Sequence, residues 1–253
     1  MVIALKLEAS FMNASAPAEL CLCAICCADK RERALPIQQG IGLREIHIES
    51  RVGDLFGLGQ NINAAELFAE NGLRPCLVVQ GHSDCLAAKT LLKSRNQQGR
   101  VSHAVQTTFR PLLEMVEQAA FSLSDDEQLC ILTYAMTLNT ANYYLENEKF
   151  MENKPVIFAY YSMSAKLDDP QQDPAKFPLL IYDPLARRFM PSEGNKDIRL
   201  ADLIDVTTKR PLGTRYELRE PVDIMSMIRA EVEAFKRPAV MAEPAPAPVG
   251  SAS

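Results

Sequence analysis

Between Arg74 and Leu92 the chain reads Arg-Pro-Cys-Leu-Val-Val-Gln-Gly-His-Ser-Asp-Cys-Leu-Ala-Ala-Lys-Thr-Leu-Leu. An apolar run from Cys76 to Val79 stops at Gly81, and a helix-compatible run resumes at Leu86, so His82 and Cys85 fall in a strand-to-helix turn. Turns at the carboxyl ends of strands are where open α/β sheets build their sites. An imidazole and a thiol two residues apart, at the first turn of a helix, can reach a single ion. His82-x-x-Cys85 is half of a zinc site, and it needs a third ligand.

Leu20 to Cys26 reads as a buried strand that ends in Cys27-Ala28-Asp29-Lys30-Arg31. Together the two segments resemble the beta class of carbonic anhydrases, whose signature is Cys-x-Asp-x-Arg at the end of one strand and His-x-x-Cys after the next parallel one. Their order and interval are also similar to the family's. The resemblance implies that Cys27, His82 and Cys85 bind zinc, and that hydroxide formed at the metal attacks carbon dioxide to give bicarbonate. Two thiolates and one imidazole suit zinc and leave the fourth tetrahedral position open, as in catalytic sites. Water there is acidified from a pKa of about 15.7 toward about 7. Two thiolates donate more charge than imidazoles would, so the acidification should be weaker than at an all-histidine site.

Asp29 and Arg31, two apart, can turn to the same side of an extended segment beside Cys27. The resemblance implies a catalytic dyad in which Arg31 holds Asp29, and Asp29 either accepts a hydrogen bond from the hydroxide or moves onto the metal and closes the site. The residues by themselves also allow a plain surface ion pair.

With 253 residues, 47% of them hydrophobic, the chain can bury one sizeable core, or a core with an appendage. A net charge of −5 without a long Lys/Arg block argues against a nucleic-acid partner. No apolar run reaches the roughly 18 to 20 residues that span a bilayer, and the first ten residues lack the charged front region of a secretion signal. The expected location is cytoplasmic. Seven cysteines, at 21, 23, 26, 27, 76, 85 and 130, are an odd count set mostly in apolar strands, which suits core thiols and metal ligands better than a disulfide framework. Cys23-x-x-Cys26 matches a redox spacing, but residues three apart on a strand point to opposite faces.

In chain order, residues 1–18 form an expected N-terminal arm. Residues 19–163 form the zinc-binding core, with strands at Glu19–Cys27, Arg44–Ile48 and 76–80, a crossing helix over 61–71, and a further strand at Val156–Met163. Gly99 to Val105 reads as a polar loop. Helices are expected at Leu86–Leu92, at Thr107–Ala120, and from 125 to about 148, the last opened by the capping box Ser124-Asp125-Asp126-Glu127 with Leu129, Ile131, Leu132, Met136 and Leu138 as its apolar side. Residues 164–237 make a C-terminal extension, with a hairpin about Asp183–Ala186 and an amphipathic helix over Pro221–Lys236. Residues 238–253, rich in Ala and Pro, lack the apolar content to fold. The expected fold class is α/β, a central, mostly parallel sheet flanked by helices, as in the beta carbonic anhydrases, with that hairpin and helix added. His47 reads as a packed strand residue, His103 as a loop residue, and Asp84 as support for its neighbouring ligand.

Three positions depart from the family pattern. Leu86 stands where glycine commonly follows the second cysteine, Lys30 replaces a small residue, and the loop from Arg51 to Asp54 is altered. Leu86 could narrow the pocket, which keeps a second reading open: a relative that hydrolyses carbon disulfide or carbonyl sulfide. A third is a non-catalytic zinc-stabilised scaffold. The resemblance implies a small-molecule substrate, carbon dioxide or bicarbonate, and a homodimer or dimer of dimers.

Overall fold

The computed structural model describes residues 19–27, 46–51, 69–93, 103–162, 179–191, 204–205, 210–211 and 216–237. Asp29, Lys30, Arg31, the N-terminal arm, most of the crossing helix, the loop after Arg51 and the Ala/Pro tail lie outside them.

Six strands form one sheet: β1 (Glu19–Cys27), β2 (Ile46–Arg51), β3 (Leu73–His82), β4 (Val156–Ser162), β5 (Leu179–Asp183) and β6 (Arg188–Met190). Their order is β2-β1-β3-β4-β5-β6. β1 runs parallel to β2 and β3, and β3 runs parallel to β4. β5 and β6 complete the sheet as antiparallel neighbours, so the expected hairpin continues the sheet instead of standing apart. The chain moves outward from β1 to β2 and then returns to β1's other side as β3. This reversal opens a crevice beyond the carboxyl ends of β1 and β3, where ligands settle in open α/β sheets.

The central strands are buried on both faces, which is why they read as near-continuous apolar runs. One face carries Cys23, Ile25 and Cys27 of β1, Leu77 and Val79 of β3, and Ile157, Ala159 and Tyr161 of β4, all in one core with the helices. On the alternate positions Ala24, Cys26, Cys76, Val78, Val156 and Phe158 are also buried. Gly72, at φ 74°, donates its N–H to Ala69 O at 2.9 Å. A left-handed glycine of this kind ends a helix, and here it closes the segment that leads into β3.

Helix α1 (Leu86–Lys93) packs through Ala87, Ala88, Leu91 and Leu92. Helix α2 (His103–Ala119) begins inside the stretch read as a polar loop. Its apolar stripe of Val105, Phe109, Leu112, Leu113 and Val116 starts at Val105, so burial carries the helix further back than composition indicates. Helix α3 (Asp125–Leu145) has the expected capping box: Ser124 Oγ accepts from Glu127 N–H, and the Glu127 carboxylate accepts from Ser124 N–H. It stops at Leu145, and Asn147 caps a separate turn, α4 (Glu148–Met151).

The expected apolar side of α3 is buried, and so is most of its circumference, because it packs against β3, β4, α1, α2 and the final helix, α5 (Ile224–Lys236). Its buried threonines are satisfied within the helix. Thr133 Oγ1 donates to Leu129 O or Cys130 O, Thr137 Oγ1 to Thr133 O, and Thr140 Oγ1 to Met136 O. Bonding one turn back lets a polar residue enter a core. Asn142 clamps the approach to α5, donating to Val222 O at 2.9 Å and accepting from Val222 N–H at 2.8 Å. α5 then buries Met227, Ile228, Glu231 and Val232.

Candidate metal centre

β1 and β3 set the site's geometry through their register. Cys26 lies opposite Gln80, so the last residue of β1, Cys27, comes beside the end of β3, where His82 is the final strand residue. β4 braces that end, with Gly81 opposite Tyr161 and His82 opposite Ser162. The chain then turns, and Cys85 directly precedes α1. One sulfur each from Cys27 and Cys85 and one imidazole nitrogen of His82 all lie within 4.8 Å of one another. Tetrahedral zinc holds such donors about 3.6 to 3.8 Å apart, so the grouping fits a single ion. The three side chains are 5%, 1% and 3% exposed, and a thiol–imidazole–thiol set suits zinc.

Backbone groups fix the turn. Ser83 donates its N–H to Ser162 O at 2.9 Å, and its carbonyl lies 2.8 Å from His82 Nδ1. A carbonyl can only accept, so Nδ1 carries the proton and the lone pair is on Nε2, the tautomer that a histidine ligand needs. Asp84 takes the left-handed conformation, φ 65°, and its carboxylate pairs with Lys89 of α1. The Cys85 carbonyl accepts from Lys89 N–H at 2.9 Å, opening α1.

Cys27, His82 and Cys85 therefore converge, whereas Asp29 and Arg31 lie outside the described residues. His47 pairs with Cys23, about 13 Å along β1 from Cys27 at the usual rise per residue. His103 begins α2 instead of occupying a loop. Cys23 belongs to the helix-facing core and Cys26 to the opposite face, so they do not form a redox pair. Leu86 is 65% exposed, unlike Ala87, Ala88 and Leu91, through which α1 packs.

Sequence reasoning missed Thr137, which packs directly on Gly81. Its only signal was the glycine, since a glycine inside a strand often marks close approach by another element.

No protein-family model matches the chain, and no curated protein does. Among solved structures, the beta-carbonic anhydrase CcaA is similar over 72% of this chain and 80% of its own, at 15% identity and a TM-score of 0.52. A tetrameric beta-carbonic anhydrase from the filamentous ascomycete Sordaria macrospora aligns over 58% of this chain and 76% of its own, at 16% identity and a TM-score of 0.42. A variant of the beta-carbonic anhydrase CafD of Aspergillus fumigatus aligns over 59% and 86%, at 18% identity and a TM-score of 0.43. The likeness to CcaA shows a shared fold: the mostly parallel, helix-flanked sheet of a beta-carbonic anhydrase.

Proposed function

We propose that this chain binds one zinc ion through the sulfurs of Cys27 and Cys85 and the imidazole of His82, and that it catalyses reversible hydration of carbon dioxide to bicarbonate. The observation that carries the reading is the convergence of those three buried donors from two strand ends. The shared fold is consistent with it. Zinc in such a set supplies the Lewis acidity that makes water nucleophilic near neutral pH.

The chain's own residues do the rest. Burial keeps bulk solvent from the ligands, and the Ser83 carbonyl holds the His82 proton on Nδ1. Asp29 and Arg31, two and four residues after Cys27, complete the reading. The Asp29 carboxylate accepts a hydrogen bond from the attacking water, and the Arg31 guanidinium orients that carboxylate through a charge-assisted pair. Carbon dioxide and bicarbonate are then the small-molecule partners. A homodimer or dimer of dimers in the cytoplasm belongs to the same reading, and light scattering measures the assembly.

Stopped-flow hydration of carbon dioxide by the zinc-loaded protein tests the proposal. Turnover above the uncatalysed rate, lost when the metal is stripped and regained when zinc is returned, is the expected result. Bound zinc with no hydration at neutral or alkaline pH overturns it.

A further inference from the structure

Building on the metal-binding reading, we propose that Asp84 and Lys89 form a positioning pair, which holds the turn that brings the Cys85 sulfur back onto the ion. His82 ends a strand that runs outward, and three residues later Cys85 must face the same point. The residues on either side of Asp84 are already fixed. Ser83 is tied to β4 through Ser162 O and to the His82 ring through its own carbonyl, and Cys85 is tied to α1 through Lys89 N–H.

The reversal therefore falls on Asp84, whose φ of 65° is a conformation that L residues disfavour and that aspartate and asparagine tolerate best after glycine. Glycine would make the turn without strain but would leave it loose. Aspartate adds a tether, since its carboxylate reaches over Cys85 to the Lys89 ammonium. Both side chains are partly exposed, at 44% and 35%, so the pair contributes little to global stability. Its effect is local, on the one segment that places a ligand. Lys89 also shares a hollow with Lys93, Asp125 and Asp126, so the test must separate Asp84 from these other acidic neighbours.

The experiment follows metal loss from the full-length protein to a chelator, using zinc for the rate and cobalt(II) for the thiolate-to-metal absorption band. Lys89→Met and Asp84→Asn, the latter keeping the tolerated backbone conformation, are each expected to speed metal loss about threefold to tenfold. The double variant should be no faster than the faster single one, Lys89→Arg should restore the wild-type rate, and the cobalt band should shift while circular dichroism stays unchanged. Metal loss unaltered by Lys89→Met, or single effects that multiply in the double variant, overturns the pair. So does a result in which Asp125→Asn or Asp126→Asn reproduces Lys89→Met and Asp84→Asn does not. A wild-type protein that takes up neither metal overturns the centre itself, and the pair with it.

Discussion

The Thr137 side chain fills the space that a β carbon would occupy on Gly81. An ideal Cβ at that position would collide with Thr137 Oγ1 and come within 3.0 Å of its Cβ and 3.2 Å of its Cγ2. Thr137 cannot swing aside freely, because Oγ1 donates to Thr133 O at 2.9 Å and the residue is wholly buried. Helix α3 thus rests on the backbone of β3 one residue before His82. Gly81→Ala is expected to destabilise the protein by about 1 to 3 kcal/mol through overpacking and to weaken zinc binding by displacing the strand end. Adding Thr137→Ala should recover part of both losses, a coupling that denaturant melts of the four proteins would resolve. Additive effects would mean that the two residues do not press on each other.

Metal removal should be visible in stability as well as in activity. Purified protein is expected to hold about one zinc per chain, and stripping it should lower the melting temperature, because binding energy at a site assembled by folding is also folding energy. Cys27→Ser and His82→Ala should each abolish stoichiometric zinc, as read by atomic absorption. Full zinc retention in either variant would remove that residue from the ligand set.

Asp29→Asn keeps the side chain's size and removes its charge. It is expected to lower kcat/KM for carbon dioxide hydration by roughly 100-fold, in the range found for a general acid–base group, with zinc content unchanged. Arg31→Ala should release Asp29 toward the metal and lower turnover in the same way. Wild-type rates for Asp29→Asn would take the dyad out of the mechanism.

The strands were the most legible part of the fold. The bounds of Glu19–Cys27 match the expected strand, because its run from Cys23 to Cys27, buried on both faces, has to be apolar. β3 is longer than its apolar run: Leu73, Arg74, Pro75, Gln80, Gly81 and His82 join it through pairing with β1 or β4, and pairing depends on neighbours distant in sequence. The ligand motif was legible because each half follows a strand. Thr137 was not, since it lies 56 positions after Gly81 and looks like any helical threonine until the helix is docked. The buried breadth of α3 was hidden for a related reason. Its threonines bond to their own helix, so a polar letter in the sequence becomes a core residue.

Asn142 makes two hydrogen bonds to one residue, Val222, just before α5 begins. Asn142→Ala would leave a carbonyl and an N–H without that clamp, an expected loss of about 1 to 3 kcal/mol. Amide exchange should quicken most in α5. Uniform quickening across the sheet would indicate global destabilisation instead of a local release.

Glu231 gives the pH dependence a sign. It projects from α5, is 2% exposed, and faces Arg188 of β6 at 3.5 Å, with Tyr182 of β5 and Tyr134 and Cys130 of α3 within electrostatic reach. Burial raises its pKa above the ordinary 4.5, and attraction to Arg188 and a backbone hydrogen bond from Phe189 only partly offset that rise. The folded chain therefore holds this proton more tightly than the unfolded chain does. The resulting stability is fully present below about pH 4.5 and is lost as pH climbs through the raised value. Glu231→Gln, which cannot ionise, should escape the loss. Its melting temperature relative to wild type is expected to be constant at low pH, to rise through that window, and to level off above it. Parallel melting curves at every pH would show that Arg188 fully compensates the buried charge.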